Sequence, residues 1–252
     1  MTVTSTTDEG TRSGGWRHWL STVLPRPCLG CAAEVGAAVD TLGLCLACRG
    51  KLRNASADAC TACGRSATAA FAAGETPQLC PSCRAAPPPF EAVFAVWRYT
   101  PPFDRVIHGL KFQRLEYLAE DLASGLVRRW GEELGSCDLV VPVPLHWSRR
   151  LKRGFNQAER IAAPVARALD LPVVAALHRP HRTRPQARLG KRQRAQGANP
   201  FRCRLGHQVA GQRVLLIDDV VTTGATLGAA ARILRHAGAR SVVAAAAGRT
   251  SP

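Results

Sequence analysis

The sequence predicts an α/β chain: a parallel sheet with helices on both faces, preceded by a small cysteine-rich module. Three observations carry that reading. Eight cysteines crowd into residues 28–83 as four CxxC pairs. Strand-like and helix-like stretches then alternate from residue 92 to residue 247. Within that alternation, residues 214–226 read VLLIDDVVTTGAT, an apolar strand pattern that runs through an acid pair into a hydroxyl-rich turn and a helix.

The cysteine pairs are Cys28/Cys31, Cys45/Cys48, Cys60/Cys63 and Cys80/Cys83. Two residues between cysteines let both thiolates reach one tetrahedral ion from a single turn, the knuckle spacing of structural zinc. The gaps between pairs, 13 residues and then 16, are long enough to close two four-cysteine sites in sequence. Cys28, Cys31, Cys45 and Cys48 then hold one ion, and Cys60, Cys63, Cys80 and Cys83 the other. A cross-braced arrangement of the same eight is the alternative. No histidine joins the pairs and no coordination position is left open, so about two Zn2+ ions in a structural role are expected. Disulfides would need an oxidising compartment, and no export signal is present. Metal binding also explains how a segment poor in large apolar residues folds. Cys137 and Cys203 stand alone and read as small packing residues.

The elements follow in order. Residues 1–19 are polar and carry no signal-peptide pattern, so a disordered tail is expected there. Trp16 to Leu24 has the spacing of a short amphipathic helix. The zinc-ribbon module covers 20–86 and ends at a stiff Pro-rich spacer, residues 84–89. The larger domain covers 90–249. Its first strand is Ala92–Tyr99, stopped by Pro101-Pro102. Phe103–Phe112 and Leu115–Trp130 have helical periodicity, with Leu115, Leu118, Leu122 and Leu126 on one face, and are expected to form a hood or edge element. Asp138–Pro144 is the next strand. Asn156–Leu169 is a helix, with Ile161, Val165 and Leu169 at i, i+4 and i+8. Strands are expected at Pro172–Leu177, Arg213–Ile217 and Ser241–Ala247, with a helix over Leu227–Ala237. No apolar run approaches the roughly 20 residues of a membrane helix, so no membrane partner and a cytoplasmic location are expected.

Charge is unevenly placed. The chain carries +16, and residues 146–205 hold 15 Lys/Arg against two acids, Glu159 and Asp170, a net of +13. A block of that sign suits a polyphosphate, whether pyrophosphate or a nucleic-acid backbone. Its long stretch over 178–207 has little periodicity, as functional loops often do.

The acid pair and turn suit a sugar phosphate. Asp218 and Asp219 can accept hydrogen bonds from vicinal sugar hydroxyls. The turn and helix start present backbone N–H groups to a phosphate. Gly224 permits a φ that a side chain disfavours, and Thr222, Thr223 and Thr226 add hydroxyls. This run closely resembles the phosphoribosyl pyrophosphate (PRPP) signature of the type I phosphoribosyltransferases. Beside it stand Pro142-Val143-Pro144-Leu145, then Arg153-Gly154-Phe155-Asn156-Gln157, then Pro185-Gln186-Ala187-Arg188-Leu189, with the four CxxC pairs ahead of them. That ordering resembles the ComF/GntX family, a zinc-ribbon module joined to a type I phosphoribosyltransferase domain.

The resemblance implies a type I phosphoribosyltransferase-like sheet and a set of roles. Asp218 and Asp219 would hold the ribose 2′- and 3′-hydroxyls. Val220 and Val221 would lead into Thr222, Thr223, Gly224, Ala225 and Thr226, which would cradle the 5′-phosphate. Val143, Pro144 and Leu145 would offer backbone contacts to pyrophosphate, with Lys152 and Arg153 as candidate neutralising charges. Gln186, Arg188, Lys191 and Arg192 would belong to a mobile lid. Mg2+ would accompany PRPP. The implied reaction is a pentosyl transfer, in which a nucleophile replaces pyrophosphate at ribose C1. No catalytic residue is assigned, and the acceptor is unidentified. Purine-salvage relatives often carry an acid where Thr222 stands, so hypoxanthine or guanine salvage is not expected here. The family further implies a role in DNA uptake during competence, with single-stranded DNA and DNA-uptake proteins as candidate partners. A PRPP-responsive, single-stranded-DNA-binding accessory protein without turnover is the alternative.

Overall fold

A computed structural model describes residues 26–35, 42–55, 60, 62–64, 79–180 and 199–250. The expected tail and the Trp16–Leu24 helix lie outside the described residues. The cysteine module begins with a short antiparallel pair, β1 (Arg26–Pro27) and β2 (Glu34–Val35), and two short helices, α1 (Leu46–Arg49) and α2 (Pro81–Ala85). The larger part follows as β3 (Val93–Arg98), α3 (Phe103–Phe112), α4 (Leu118–Gly135), β4 (Leu139–Pro142), α5 (Trp147–Arg153) and α6 (Gln157–Leu169). A small ribbon, β5 (Leu177–His178) with β6 (Arg202–Cys203), precedes α7 (Gly206–Val209), β7 (Arg213–Val221), α8 (Ala225–His236) and β8 (Ser241–Arg249).

The main sheet has the order β3-β8-β7-β4, and every pairing is parallel. β7 and β8 lie inside it and are buried nearly throughout, as continuous apolar runs in parallel sheets are. Alternation along β7 sends Leu215 and Ile217 to one face and Val214 and Leu216 to the other. The first face packs on α3, α4 and α6. Leu118, Leu122 and Leu126 are fully buried there, with Ile161 and Val165. The second face packs on α8 and the β5–β6 ribbon through Leu227, Leu234, Leu177 and Phe201. Asn199 pins the ribbon's return arm: its side chain donates to the Ala229 carbonyl at 2.7 Å and accepts from the Phe201 N–H at 2.9 Å.

Both outer edges of the sheet are covered. Beyond β4, the extended segment at Pro172–Val174 adds a parallel bridge, with Val140 N–H donating to the Pro172 carbonyl and Val174 N–H to the Val140 carbonyl. The strand expected over Pro172–Leu177 is therefore split. Its start lines the sheet edge, and its end turns to pair antiparallel with Arg202–Cys203 at the root of the basic loop. Beyond β3, residues 53–55 of the cysteine module pair antiparallel. Arg98 N–H donates to the Arg53 carbonyl at 2.7 Å and Ala55 N–H to the Val96 carbonyl at 2.8 Å. This covering hides an edge that would otherwise offer unpaired backbone groups.

The two cysteine clusters are anchored differently. Cys28, Cys48, Leu42 and Leu44 belong to the same buried cluster as Leu110, Leu118 and Leu122. Leu42 N–H donates to Asp121 on α4 at 2.9 Å, and Arg105 on α3 donates to the Gly30 carbonyl at 3.3 Å. Cys60, Cys63, Cys80 and Cys83 instead form a small cluster of their own with Ala62 and Leu79. Among the described residues no helix is long and apolar enough to cross a membrane.

Candidate functional site

β7 runs four residues beyond the expected strand end, through the acid pair to Val221. Asp218 is in register with Ala246, Val220 with Gly248 and Val221 with Arg249. By the alternation of the strand, Asp218 points toward the α8 side and Asp219 toward α3. Asp218 Oδ1 accepts the Asp219 N–H at 2.8 Å. Burial, and then the adjacent Asp219 carboxylate, push Asp218 up to about 7. Asp219 is buried and meets Lys111 Nζ, from the last turn of α3, at 3.0 Å.

The strand then opens into the turn Thr222-Thr223-Gly224. Both threonines are exposed, and Gly224 takes φ 76°, the left-handed region that disfavours a side chain. Thr223 Oγ1 accepts the Ala225 N–H at 3.3 Å. Gly224 stands at the cap position of α8, and the exposed Ala225 and Thr226 stand at its first turn. The strand end thus delivers two carboxylates, and the helix start delivers backbone donors and the positive end of the helix dipole.

The second loop lies alongside. Val143 N–H donates to the Ile217 carbonyl at 2.9 Å, so the loop Val143-Pro144-Leu145 starts beside the residue that precedes the acid pair. Asn156, buried, fixes this loop from behind: its Nδ2 donates to the Val143 carbonyl at 3.0 Å while its Oδ1 caps α6 at Ala158 N–H. Between loop and α6 stands α5, none of whose seven residues is buried. It ends at Gly154, φ 86°. Lys152 faces water. Arg153 instead turns inward, donating to Gln157 Oε1 at 2.9 Å and lying 5.1 Å from the Phe112 ring centroid. Burial lowers its pKa, and Asp219 works against that fall. Gln186, Arg188, Lys191 and Arg192 lie outside the described residues.

Two groups at this site had no sequence signal. Lys111 reaches Asp219 from 108 residues away in the chain. Tyr99, just past β3, has its pKa raised by burial first and then by the charges of Asp104 and Asp219. Neither position stands in a local motif. The packing of α3 over the end of the sheet brings in Lys111, and the hydrogen bond from Tyr99 N–H to the Arg249 carbonyl, at 2.6 Å, places Tyr99 at the end of the sheet.

The cysteines fall into the two sequential sets, Cys28/Cys31/Cys45/Cys48 and Cys60/Cys63/Cys80/Cys83, with all sulfurs of a set within 4.8 Å of one another. The cross-braced alternative is set aside by this grouping. Tetrahedral thiolates at about 2.3 Å from zinc stand about 3.8 Å apart. Cys31 and Cys45 sulfurs are 3.6 Å apart, and Cys63 and Cys80 sulfurs 3.8 Å. Burial raises the Cys28 thiol, but backbone N–H groups of Cys45, Cys31 and Gly30 outweigh it and bring its pKa to about 6. Cys48, burdened first by burial and then by hydrogen bonds to its neighbouring thiols, is pushed up to about 12. Four such sulfurs cannot all ionise without a cation among them, which is the donor set a divalent soft-to-borderline metal takes.

Comparison with known proteins agrees with this architecture. Residues 19–84 match the double zinc ribbon domain, and residues 156–249 match the phosphoribosyl transferase domain. The DNA utilization protein YhgH of Salmonella typhi is 34% identical over 216 residues, spanning 79% of this chain and 94% of that protein. The chain belongs to the ComF/GntX family. Other relatives include competence protein F of Haemophilus influenzae, 29% identical over 213 residues (79% of this chain, 93% of that protein), and competence protein ComFC of Bacillus subtilis, 34% identical over 100 residues (40% and 39%). For a ComF/GntX protein, the observed order is the family's own: double zinc ribbon first, then a parallel sheet with helices on both faces that carries a phosphoribosyltransferase domain.

Proposed function

We propose that this chain binds PRPP with Mg2+ at the end of β7 and transfers its phosphoribosyl group to an acceptor still to be identified, as part of DNA utilisation in the cytoplasm. One observation carries the reading: Asp218 and Asp219 lie near the end of a central strand that passes directly into the Gly224 turn and the exposed start of α8. Ribose hydroxyls would donate to the carboxylates, and the 5′-phosphate would accept from the N–H groups and hydroxyls of Thr222–Thr226. Val143–Leu145 and Arg153 would flank the pyrophosphate. In the transfer, the C1–O bond to pyrophosphate breaks, a bond from the nucleophile to C1 forms, and the nucleophile's proton is lost. Asp218 and Asp219 are carboxylates suited to hold Mg2+, which would supply charge neutralisation for the leaving pyrophosphate. The two cysteine sets would each hold one structural Zn2+.

The test is titration calorimetry of PRPP with Mg2+ against the full chain and Asp219→Ala. Loss of the acceptor leaves ribose hydroxyls unpaired, which costs about 1–3 kcal/mol, or roughly 5- to 150-fold in affinity. An unchanged dissociation constant in a folded variant would mean the pair does not face the ribose.

A second reading, the nucleic-acid one, is favoured by α5. That helix exposes Trp147 at 40% and Leu151 at 75% beside Arg149, Arg150 and Lys152. Exposed aromatic and basic groups on one short helix suit single-stranded DNA, with phosphates neutralised and bases stacked. The names of the relatives, DNA utilization and competence proteins, point the same way. Proteins of the DNA-uptake machinery are the partners this reading would supply.

A further inference from the structure

The Lys111–Asp219 ion pair sits where the ligand is proposed to sit. Its two side chains are 18% and 13% exposed, so it is a largely enclosed contact rather than a surface pair. Asp219 has a limited set of acceptor directions, and Lys111 takes one of them at 3.0 Å. A ribose hydroxyl that bonds to Asp219 must share or displace that ammonium.

We infer that Lys111 is a specificity-determining residue that exchanges Asp219 for the pyrophosphate of PRPP and so makes the site prefer PRPP over ribose phosphates without pyrophosphate. The inference rests on the reading of Asp218–Thr226 as a PRPP site. A general property of lysine and two observations support it. Lysine carries its charge on a flexible four-carbon stem, so its ammonium moves several ångström without moving α3. The space next to Asp219 is flanked by the loop that starts at Val143, whose N–H bonds to the Ile217 carbonyl. It is flanked again by Arg153, which lies over Phe112, the neighbour of Lys111. Pyrophosphate on C1 is next to the C2 hydroxyl in the covalent structure of PRPP. A ligand whose 2′-hydroxyl reaches the acid pair therefore brings its pyrophosphate beside the displaced ammonium. Ribose 5-phosphate breaks the ion pair and returns nothing to Lys111. PRPP breaks it and gives the lysine a more highly charged partner.

The experiment is calorimetry of PRPP with Mg2+ and of ribose 5-phosphate, each against the full chain, Lys111→Met and Lys111→Arg. In Lys111→Met, PRPP affinity should fall about tenfold or more, because a charge-assisted contact is lost. Ribose 5-phosphate affinity should rise about threefold, because nothing competes for Asp219. Lys111→Arg should keep the preference for PRPP. If both ligands weaken together, strengthen together or stay unchanged in Lys111→Met, the lysine does not read pyrophosphate and the inference falls. If the unmodified chain binds neither ligand, the PRPP reading falls and takes this inference with it.

Discussion

Asp218 makes the candidate site a source of pH-dependent instability. Its carboxyl is raised from an ordinary 3.8 to about 7, by burial first and by Asp219 second. A raised folded pKa means the native state holds its proton more tightly than the unfolded chain does. That stability is fully present below about 3.8 and is lost as pH rises through about 7. Asp218→Asn keeps the shape and removes the titration. Between pH 5.5 and pH 8 the unfolded group is ionised throughout, while the folded group ionises only near pH 7. The wild type should therefore lose about 2 kcal/mol relative to the variant over that window, from about 1.5 pH units at 1.36 kcal/mol each. Asp218 is partly open to water, which screens the repulsion, so this is an upper figure. For a chain of this size it corresponds to a midpoint difference of roughly 4–8 °C. The assay is thermal or urea unfolding of both proteins with zinc present, at several pH values across the window. Curves that stay parallel from pH 5.5 to pH 8 would refute the argument. The same substitution removes a carboxylate proposed to bind ribose, so the stabilised variant should bind PRPP more weakly.

Two further outcomes follow from the same geometry. Cys48→Ser breaks the cysteine set that shares the main core and should lower the unfolding midpoint of the whole sheet, whereas Cys83→Ser should release about one metal ion and leave that midpoint nearly unchanged; equal effects of the two, read by calorimetry and elemental analysis, would contradict the difference in anchoring. Arg149→Ala with Lys152→Ala should weaken single-stranded DNA and reduce the slope of log affinity against log salt by about 1.4, in fluorescence anisotropy across several salt concentrations; an unaltered slope would place the nucleic acid away from α5.

The parts legible in the sequence were those whose determinants are contiguous. Four CxxC spacings specify sulfur pairs that need only one turn each to form. The β7–turn–α8 unit is written in one run, because the strand, the acids and the left-handed glycine are consecutive. α3 begins and ends where its periodicity places it, at Phe103 and Phe112. The helix after it begins later than the leucine pattern suggests, since Arg114 takes φ 55° and breaks the chain direction before Leu118. What was not legible depends on distant pairings. Residues 53–55 carry no strand pattern, yet they close the β3 edge because backbone groups there need partners whatever their side chains are. Lys111 is one cation among many in the sequence. Its selection as the partner of Asp219 is decided by the packing of α3.

That packing ties the cysteine module to the candidate site through a single rigid element. At its start, α3 touches the first cysteine set: Arg105 donates to the Gly30 carbonyl, and a side chain at Gly30 would collide with Cys48 Sγ and crowd Pro102. Near its end, a Cβ on Gly109 would lie 3.3 Å from Leu29, next to Cys28. Two and three residues later come Lys111, on Asp219, and Phe112, under Arg153. Val106, Ile107 and Leu110 between them are fully buried, so the helix has no slack with which to absorb a shift at the knuckle. The first cysteine set therefore does more than fold its own loop. It seats the helix whose last turn presents a lysine to the acid pair, and its Cys28 and Cys48 share a core with the sheet while the second set forms a cluster of its own.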